Sequence, residues 1–271
     1  MLEKLIKKYA KKYEGKPIAL SGGIDSGLLA ALIKPKFAIS VQLPESKHNE
    51  IEYAKKVVEH LGLKHIIVEY NEDNFEEELK IAVKAIGRPI PHFNIVPLYQ
   101  MYKKLAEIGE KEIVLGDGPD ETMCGYTRDL IINYLYQVYD FEAFKNYKPI
   151  IDKMLPPKID EIAMRPDMDD MSNGIAKYFG ITNLRPYQDN KELDDYMFNL
   201  PIEKKIWKTE YGKYALRKIA AKYLPKEIAW RKEKVGGPLY SPNFKMGWFE
   251  KEGEYGKESW LEHQNAILNS S

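Results

Sequence analysis

Two adjacent glycines between an apolar run and a helix-forming run are the strongest chemical signal in the chain. Residues 20–26 have the sequence Leu-Ser-Gly-Gly-Ile-Asp-Ser. The apolar run 17–20 before them predicts a buried strand, and the run 27–33 after them predicts a helix. Because glycine adopts backbone conformations closed to other residues, several N–H groups can point into one concavity at the positive end of the helix dipole. The turn therefore predicts an anion site that fits pyrophosphate.

This motif differs from the other common glycine-rich motifs. It has no Lys-Ser or Lys-Thr after the glycines, so it is not the loop that holds the β and γ phosphates in many NTPases. Its spacing does not match the dinucleotide pattern G-x-G-x-x-G, and Ala19 stands where the nucleophile elbow G-x-S-x-G needs glycine. The remaining alternative is an ordinary glycine-rich turn before a helix.

A second candidate loop follows the apolar run 113–115, which predicts a strand. Residues 116–121 read Gly-Asp-Gly-Pro-Asp-Glu, so one short loop carries three carboxylates. Taken alone, such an acidic turn is most typical of a solvated helix cap, with Pro119 in the first helical turn. Its meaning depends on where the sheet places it.

Adjacency of the first and fourth strands would turn these loops into one site. Four carboxylates would then meet at the same sheet edge, those of Asp25, Asp117, Asp120 and Glu121. Carboxylates this close repel unless a cation joins them, so loss of Asp25 or Asp120 is expected to relieve repulsion and leave the fold nearly intact. Mg²⁺ is a suitable cation for such a group of carboxylates.

Hydrophobic periodicity predicts alternating helices and strands in the first half. The expected strands are 17–20, 37–41, 65–70 and 113–115, and the expected helices are 2–13, 27–33, 50–61, 75–86 and 95–108. This alternation predicts an α/β fold with a parallel sheet covered on both faces. The region from about 141 to 248 has a helical pattern, and no pattern can be read beyond Gly253.

Composition narrows the class of protein. The 271 residues carry 41 basic and 41 acidic side chains, and a net charge of zero argues against a protein whose main task is to coat nucleic acid. No segment approaches the roughly 18 apolar residues of a membrane span, and a signal-peptide core is not visible, so we expect a cytoplasmic protein. The single cysteine, Cys124, rules out an internal disulfide and cysteine-pair chemistry.

The first loop, S-G-G-I-D-S, resembles the PP-loop of the N-type ATP pyrophosphatases, which cut ATP between the α and β phosphates. The order of S-G-G-I-D-S, F-A-I-S at 37–40 and G-D-G-P-D-E followed by Gly-Tyr at 125–126 is similar to the synthetase domain of asparagine synthetases. The related β-lactam synthetases resemble this order of motifs almost as closely. The resemblance implies a parallel sheet of the adenine nucleotide alpha-hydrolase (PP-loop, Rossmann-like) type over residues 1–140. It implies a helical substrate-binding half of the same domain over 141–271.

The resemblance continues through the second half, and together its segments cover roughly residues 17 to 240. R-P-Y-Q-D at 185–189 looks like the family's R-x-P-F-L-D, and Leu-Pro at 200–201 and Y-A-L-R-K-I-A at 214–220 follow. L-P-K-E-I-A-W-R-K at 224–232 is similar to the family's L-P-x-x-I-x-W-R-x-K.

The resemblance also implies a set of site residues. Asp117 stands where the family usually has glutamate, which shortens this candidate catalytic carboxylate by one methylene. Asp25 and Asp120 would be the Mg²⁺ ligands. The adenosine pocket would be lined by Leu20, Ile39 and Gly116, and pyrophosphate with its metal would be held by Ser21, Gly22, Gly23, Asp25 and Ser26.

A lysine after the Trp-Arg pair faces the phosphates in the family, but here Glu233 occupies its position. Lys232 and Lys234 flank it, and either is a candidate catalytic cation or a solvated loop charge. We expect Lys234 to take the role, because the Gly-Gly-Pro turn at 236–238 lets that segment fold back over the site.

The resemblance implies an ATP-dependent amide-forming ligase. Mg·ATP and an aspartate-like carboxylate would give an acyl-adenylate and pyrophosphate, and an amine, with ammonia the first choice, would displace AMP. Full asparagine synthetases begin with a glutaminase domain that has an amino-terminal cysteine. This chain begins Met1-Leu2, so the nitrogen is expected from free ammonia, a separate glutaminase subunit or another amine.

Two other hypotheses stay open. A PP-loop enzyme acting on tRNA or a modified base would be favoured by a basic, aromatic-rich extension or a reactive cysteine pair, and neither is visible. A non-catalytic relative that binds nucleotide as a partner subunit is compatible with the changes at Asp117 and Glu233. The sequence leaves the acid, the amine and the oligomeric state open.

Overall fold

The computed structural model describes residues 1–42, 50–126, 159–207, 210–232 and 254–270. Within them, one all-parallel sheet has the strand order β3-β2-β1-β4-β5. Ile18 in β1 lies opposite Ala38 in β2 on one side and Val114 in β4 on the other. The strands are β1 (Ile18–Ala19), β2 (Ala38–Gln42), β3 (His65–Glu69), β4 (Glu112–Val114) and β5 (Thr182–Leu184). The predicted α/β fold with a parallel sheet is confirmed.

Helices connect and cover the strands. In the first half they are α1 (Leu2–Ala10), a 3-10 turn (Lys11–Tyr13), α2 (Ile24–Ile33), α3 (Glu50–Leu61), α4 (Phe75–Ile86), α5 (Ile95–Glu107) and α6 (Pro119–Thr122). In the second half they are α7 (Ile159–Tyr178), α8 (Lys191–Phe198), α9 (Ile202–Lys205), α10 (Tyr214–Ala220), α11 (Lys226–Ala229) and α12 (Glu254–Asn269). No helix in these described ranges is long and apolar enough to cross a membrane.

Side chains that alternate along the strands divide the core into two layers. Ile18 and Ala38 enter one layer, with buried residues of α1, α2, α3, α8, α10 and α11. Ile39 enters the other, with buried residues of α4, α5, α7 and α12. Since a strand turns successive side chains to opposite faces, this division follows from the period of two. Both sheet faces are covered, which explains the burial of Ile18, Ile39 and Val114.

The fifth strand lies in a region where the sequence pattern predicted only helices, and that prediction was wrong for residues 182–184. Thr182, Asn183 and Leu184 pair in parallel with Glu112, Ile113 and Val114. A segment of three residues has too little pattern of its own to reveal a strand. Its pairing with β4, and not local propensity, fixes its conformation.

The segment beyond Gly253 forms α12, which packs against α4. Trp260 and Gln264 are fully buried. The Gln264 carboxamide accepts a hydrogen bond from the Ile90 N–H at 2.9 Å and donates one to the Ile90 carbonyl at 2.9 Å, and Trp260 Nε1 donates to the same carbonyl at 3.0 Å. These bonds hold the chain in place before α5. They also supply hydrogen-bond partners for the N–H and the carbonyl of Ile90, which would otherwise be buried without partners.

The strand order places the two candidate loops side by side. The sheet winds through β1, β2 and β3 in one direction and through β4 and β5 in the other, so the winding reverses between β1 and β4. Ligands of open α/β sheets bind beyond the carboxyl ends of the strands at such a switch point. Residues 20–26 follow β1, and residues 116–121 follow β4.

Candidate active site

The side chain of Ser40 in β2 takes over from the backbone as hydrogen-bond donor where the pairing of β1 with β2 ends. This point is also the start of the 20–26 turn. The Leu20 N–H still donates to the Ile39 carbonyl at 2.8 Å, but the Leu20 carbonyl accepts a hydrogen bond from the Ser40 hydroxyl at 2.6 Å. His65 Nε2 lies 2.8 Å from the same hydroxyl. Because the Ser40 hydroxyl donates its proton to the Leu20 carbonyl, His65 Nε2 is the donor in its own hydrogen bond with Ser40. Burial, and then the charge of Lys55, lowers the pKa of His65.

The turn itself is compact and fixed from both sides. Ser21 Oγ lies 3.2 Å from Ser26 Oγ and accepts a hydrogen bond from the Gly23 N–H at 3.3 Å. Gly22 has φ +74°, and a Cβ at this position would lie 2.6 Å from the backbone nitrogen of Ala54 in α3. Only glycine tolerates both conditions. The backbone of the turn is therefore positioned by contacts within the protein.

Gly116 brings the second loop against the first. A Cβ on Gly116 would lie 2.9 Å from the backbone nitrogen of Ser26 at the start of α2. The side chains of Leu20 and Ile39, however, are only 2% and 1% exposed and belong to the two core layers. A nucleotide would meet these two residues through their backbone, and not through their side chains.

A lysine that the sequence interpretation missed joins the carboxylates of the two loops. Lys213 Nζ lies 2.5 Å from Asp25 Oδ2 and 2.8 Å from Asp120 Oδ1. Its side chain is 7% exposed, and its backbone N–H donates to the Met123 carbonyl at 2.9 Å. The three charged groups come from α2, α6 and the residue before α10. The Lys213 ammonium thus lies between the two carboxylates that the sequence assigns to Mg²⁺, and that assignment stays a prediction.

The electrostatics of this bridge favour the ionised form of Lys213. Burial by itself lowers the pKa of Lys213, but the carboxylates of Asp120 and Asp25 more than offset that effect, so its pKa is raised. The Tyr187 hydroxyl, fully buried in the adjacent core, donates to the Asp25 carbonyl at 3.2 Å. Burial, and then the charge of Asp25, raises the pKa of Tyr187 well above its ordinary value. Tyr187 therefore acts as a donor that fixes the start of α2.

Asp117 belongs to a separate part of the site. Its Oδ2 lies 3.3 Å from Nε of Arg185, at the end of β5. Loss of hydration raises the pKa of Asp117 to about 6, Arg185 opposes this shift, and the carboxylates of Glu121 and Asp169 add to it. The side chain remains 42% exposed, so a molecule in the space beyond the carboxyl ends of β1 and β4 (the cleft) can reach it. Glu121 accepts a hydrogen bond from the Tyr126 hydroxyl at 2.6 Å.

Of the two lysines proposed after the Trp-Arg pair, the structure describes Lys232, which pairs with Glu210. Lys232 is 65% exposed, and its Nζ lies 3.1 Å from Glu210, whose carboxylate raises the pKa of Lys232. Lys234 and Glu233 lie outside the described residues. Among the residues that the structure describes, Lys213 is the lysine found between Asp25 and Asp120.

The signals for the missed residues were weak but present. Lys213 directly precedes the matched segment Y-A-L-R-K-I-A, and Arg185 opens the matched segment R-P-Y-Q-D. Neither could be told from the chain's other 39 basic residues without knowing which strands and loops are neighbours. Ser40 closes the segment F-A-I-S and was not assigned a role.

The described part of the chain holds no group of three or more histidine, cysteine or carboxylate side chains arranged for a metal ion. Asp25 and Asp120 nevertheless already share one cation, and Mg²⁺ in nucleotide sites takes one or two protein carboxylates, with phosphate oxygens and water as its other ligands. The donor set therefore fits a magnesium ion that arrives with a nucleotide.

Comparison with known proteins gives a consistent picture. A family model described as asparagine synthase matches residues 17–148 and 159–253. Asparagine synthetase B (glutamine-hydrolyzing) of Escherichia coli is 25% identical over 240 residues, which cover 80% of this chain and 40% of that protein. The asparagine synthetases (glutamine-hydrolyzing) of Asparagus officinalis and Gallus gallus are each 26% identical, over 80% and 85% of this chain and 38% and 40% of their own lengths.

The chain thus spans about two fifths of the length of these relatives. An NMN synthetase structure from Francisella tularensis aligns over 90% of this chain and 99% of its own at 16% identity, but its TM-score of 0.34 is too low to support a comparison. The family match covers most of the chain, both loops, Lys213 and Arg185. The chain therefore belongs to the asparagine synthase family.

Proposed function

We propose that this chain is an ATP-dependent amide-forming ligase that adenylylates an aspartate-like carboxylate and then passes the acyl group to ammonia. The observation that carries the proposal is the contact of Lys213 with both Asp25 and Asp120 beside the 20–26 turn. A preformed backbone turn, two carboxylates and a buried ammonium meet at the switch point of the sheet. These are the groups that a triphosphate with its metal ion requires.

The first half-reaction follows from the kind of loop. The turn has no lysine of its own for a γ phosphate, which favours cleavage between the α and β phosphates to give AMP and pyrophosphate. Bound Mg²⁺ would neutralise charge on the phosphate oxygens. Asp25 and Asp120 would hold it, and the Lys213 ammonium, freed from them, would bind the departing pyrophosphate. Lys234 stays a second candidate for this charge.

The second half-reaction needs a proton acceptor. When ammonia attacks the acyl carbon, its nitrogen must lose a proton before AMP leaves. Asp117 lies in the neighbouring loop, is reachable from solvent and has a pKa raised to about 6. A base with this pKa is largely ionised at neutral pH and still accepts a proton effectively. We therefore assign proton transfer from the amine to Asp117.

The nitrogen donor that we propose for the 271 residues by themselves is free ammonia. The relatives whose names include glutamine hydrolysis are about two and a half times as long as the matched segment. Whether glutamine replaces ammonia is therefore a question for experiment with these residues. Amide formation by the pure chain with ammonium chloride, compared with glutamine, tests this point.

The decisive experiment is exchange of labelled pyrophosphate into ATP in the presence of a panel of amino acids and other carboxylic acids. Acid-dependent exchange, with AMP and pyrophosphate as products, would support the proposal. Lys213→Met should lower turnover by roughly 10²- to 10³-fold, the usual cost of one charge-stabilising donor, whereas Lys232→Met should leave it nearly unchanged. ADP as the main product, or no exchange with any acid, would contradict the proposal.

A further inference from the structure

Arg185 is a buried cation with every guanidinium nitrogen engaged. Its side chain is 7% exposed and extends from the end of β5 toward α7 and the loop after β4. Its Nε lies 3.3 Å from Asp117 Oδ2 and also 3.3 Å from Asp169 Oδ1. Its Nη1 donates to Asn173 Oδ1 at 3.0 Å and its Nη2 to Ser172 Oγ at 2.6 Å.

The three α7 partners share one face of the helix, because residues three and four apart are neighbours on its surface. The backbone on the β5 side is also fixed, since the Arg185 N–H donates to Asp189 Oδ2 at 2.6 Å. Asn173 in turn accepts a hydrogen bond from Asn183 in β5 at 3.0 Å. Arg185 is therefore fastened to two elements outside the loop that carries Asp117.

This arrangement separates two roles for the arginine. A guanidinium meant for a substrate carboxylate would present a pair of its N–H groups to the cleft. Here Nη1 and Nη2 face Asn173 and Ser172 of the protein, and the contact that reaches the cleft is the one from Nε to Asp117. Asp117 has one side-chain torsion fewer than glutamate, and this contact limits the freedom that remains.

We propose that Arg185 is a positioning residue that holds the Asp117 carboxylate in the orientation needed to accept a proton from the incoming amine. The inference rests on the proposed function, because it concerns the second half-reaction of the same site. Asp169 acts with Arg185 as its second counter-ion and keeps the guanidinium between α7 and the loop. Loss of Arg185 should therefore harm amide formation far more than adenylylation.

The charged and titratable groups around Asp117 predict opposite effects for two variants. Arg185 from the end of β5 favours the ionised carboxylate, whereas Asp169 from α7 and Glu121 from α6 favour the protonated one. Tyr102 from α5 stays neutral, because burial, and to a smaller extent the charge of Asp117, raises its pKa. Removing Arg185 should move the acid limb of amide formation to higher pH, and removing the Asp169 charge should move it to lower pH.

The test measures pyrophosphate exchange and amide formation from pH 5 to 9 for the full chain and for Arg185→Lys, Arg185→Met and Asp169→Asn. Arg185→Lys should keep exchange and lose roughly 10- to 100-fold in amide formation, the scale of a misplaced catalytic group. Arg185→Met should shift the acid limb upward and Asp169→Asn should shift it downward. General damage to the fold would not move the two limbs in opposite directions.

Other outcomes overturn the inference in distinguishable ways. A raised KM for the acid in pyrophosphate exchange by Arg185→Lys would show that the arginine binds substrate. Acid limbs that stay where they are in both Arg185→Met and Asp169→Asn would remove the positioning role while the proposed function stands. Should the Arg185 variants fail to fold, Asp169→Asn decides by itself, because its side chain is 35% exposed and its substitution keeps the same shape. Absence of exchange in the unaltered chain would overturn the proposed function and this role together.

Discussion

Lys213 Nζ lies 2.5 Å from Asp25 Oδ2, although 188 positions separate the two residues in the chain. The same ammonium contacts Asp120, so the charges of the loops 20–26 and 116–121 are joined by the residue that precedes α10. The bridge is nearly withdrawn from solvent and couples the stability of the first half of the chain to the second.

The bridge predicts that Asp25→Asn destabilises the empty protein. The sequence alone predicts relief of repulsion, but in the structure the substitution takes one of two partners from a buried lysine. Removing one partner of a buried pair costs up to about 3–5 kcal/mol, and because Asp120 remains we expect about 1–3 kcal/mol. Urea unfolding without nucleotide measures the difference in the free energy of unfolding.

Asp195→Asn is the matched control, because the Lys191–Asp195 pair is exposed and its loss should barely change the unfolding curve. The double variant Asp25→Asn/Lys213→Met should lose less stability than the sum of the two single variants, since either single substitution already removes the contact between these two residues. An unchanged or raised unfolding midpoint in Asp25→Asn would restore the repulsion hypothesis.

The two glycines of the turn should respond differently to alanine. Gly22→Ala places a side chain at φ +74° and a Cβ 2.6 Å from the backbone of α3, so we expect a loss of at least about 2 kcal/mol. Gly23 has φ −81° and ψ 170°, and a Cβ there would meet only Ser21 Oγ at 3.3 Å. Thermal melting should separate the variants, and equal melting temperatures would contradict the assigned backbone of the turn.

Ser40→Ala should weaken both the fold and the turn. The substitution leaves the Leu20 carbonyl and His65 Nε2 without the shared hydroxyl, and an unsatisfied buried polar group costs about 1–3 kcal/mol. The KM for ATP in pyrophosphate exchange should rise, because the Leu20 carbonyl sets where the turn begins. Ser270→Ala removes a comparable hydroxyl-to-carbonyl bond far from the site and serves as the control. An equal KM in both variants would argue that Ser40 has no part in shaping the site.

Asp117→Asn should stabilise the protein above pH 6 while it slows amide formation. The pKa of Asp117 is raised from its ordinary value of 3.8 to about 6, so between these values the folded chain binds more protons than the unfolded chain. The free energy of unfolding therefore falls as pH rises through this window, and a neutral side chain avoids the loss. Unfolding at pH 4 and pH 8 checks this, since the variant should gain only at pH 8. A higher free energy of unfolding for the variant at pH 4 alone would contradict the predicted direction of the effect.

Much of the first half could be predicted from the sequence because its patterns are local. The helices 50–61 and 75–86 begin and end where their apolar periodicity and the glycines at 62 and 87 place them. The 20–26 turn was also visible, since a strand, two glycines and an aspartate at fixed offsets are all contained in ten residues. Its assignment to ATP stays a prediction.

The rest depends on contacts between distant segments. The role of Lys213 depends on its position between two loops, and only the strand order of the sheet brings these loops together. The residues next to it in the sequence do not distinguish it from other lysines. β5 escaped notice because three residues carry no periodicity. α12 was missed although Trp260, Gln264 and Ile267 follow helical spacing, because a buried glutamine does not count as apolar in such a pattern.

The bonds from Gln264 to Ile90 join residues 174 positions apart, which has a consequence for how the chain is made. While the ribosome is still adding the residues between them, the Ile90 N–H and carbonyl have water as their partner, and the part of α4 that α12 covers is exposed. Contacts this distant slow folding, because the loop between them must close before the contact stabilises anything. A nascent chain of this protein thus exposes that part of α4 until its last helix is made, and exposed apolar surface of this kind is where chaperones bind and aggregation begins.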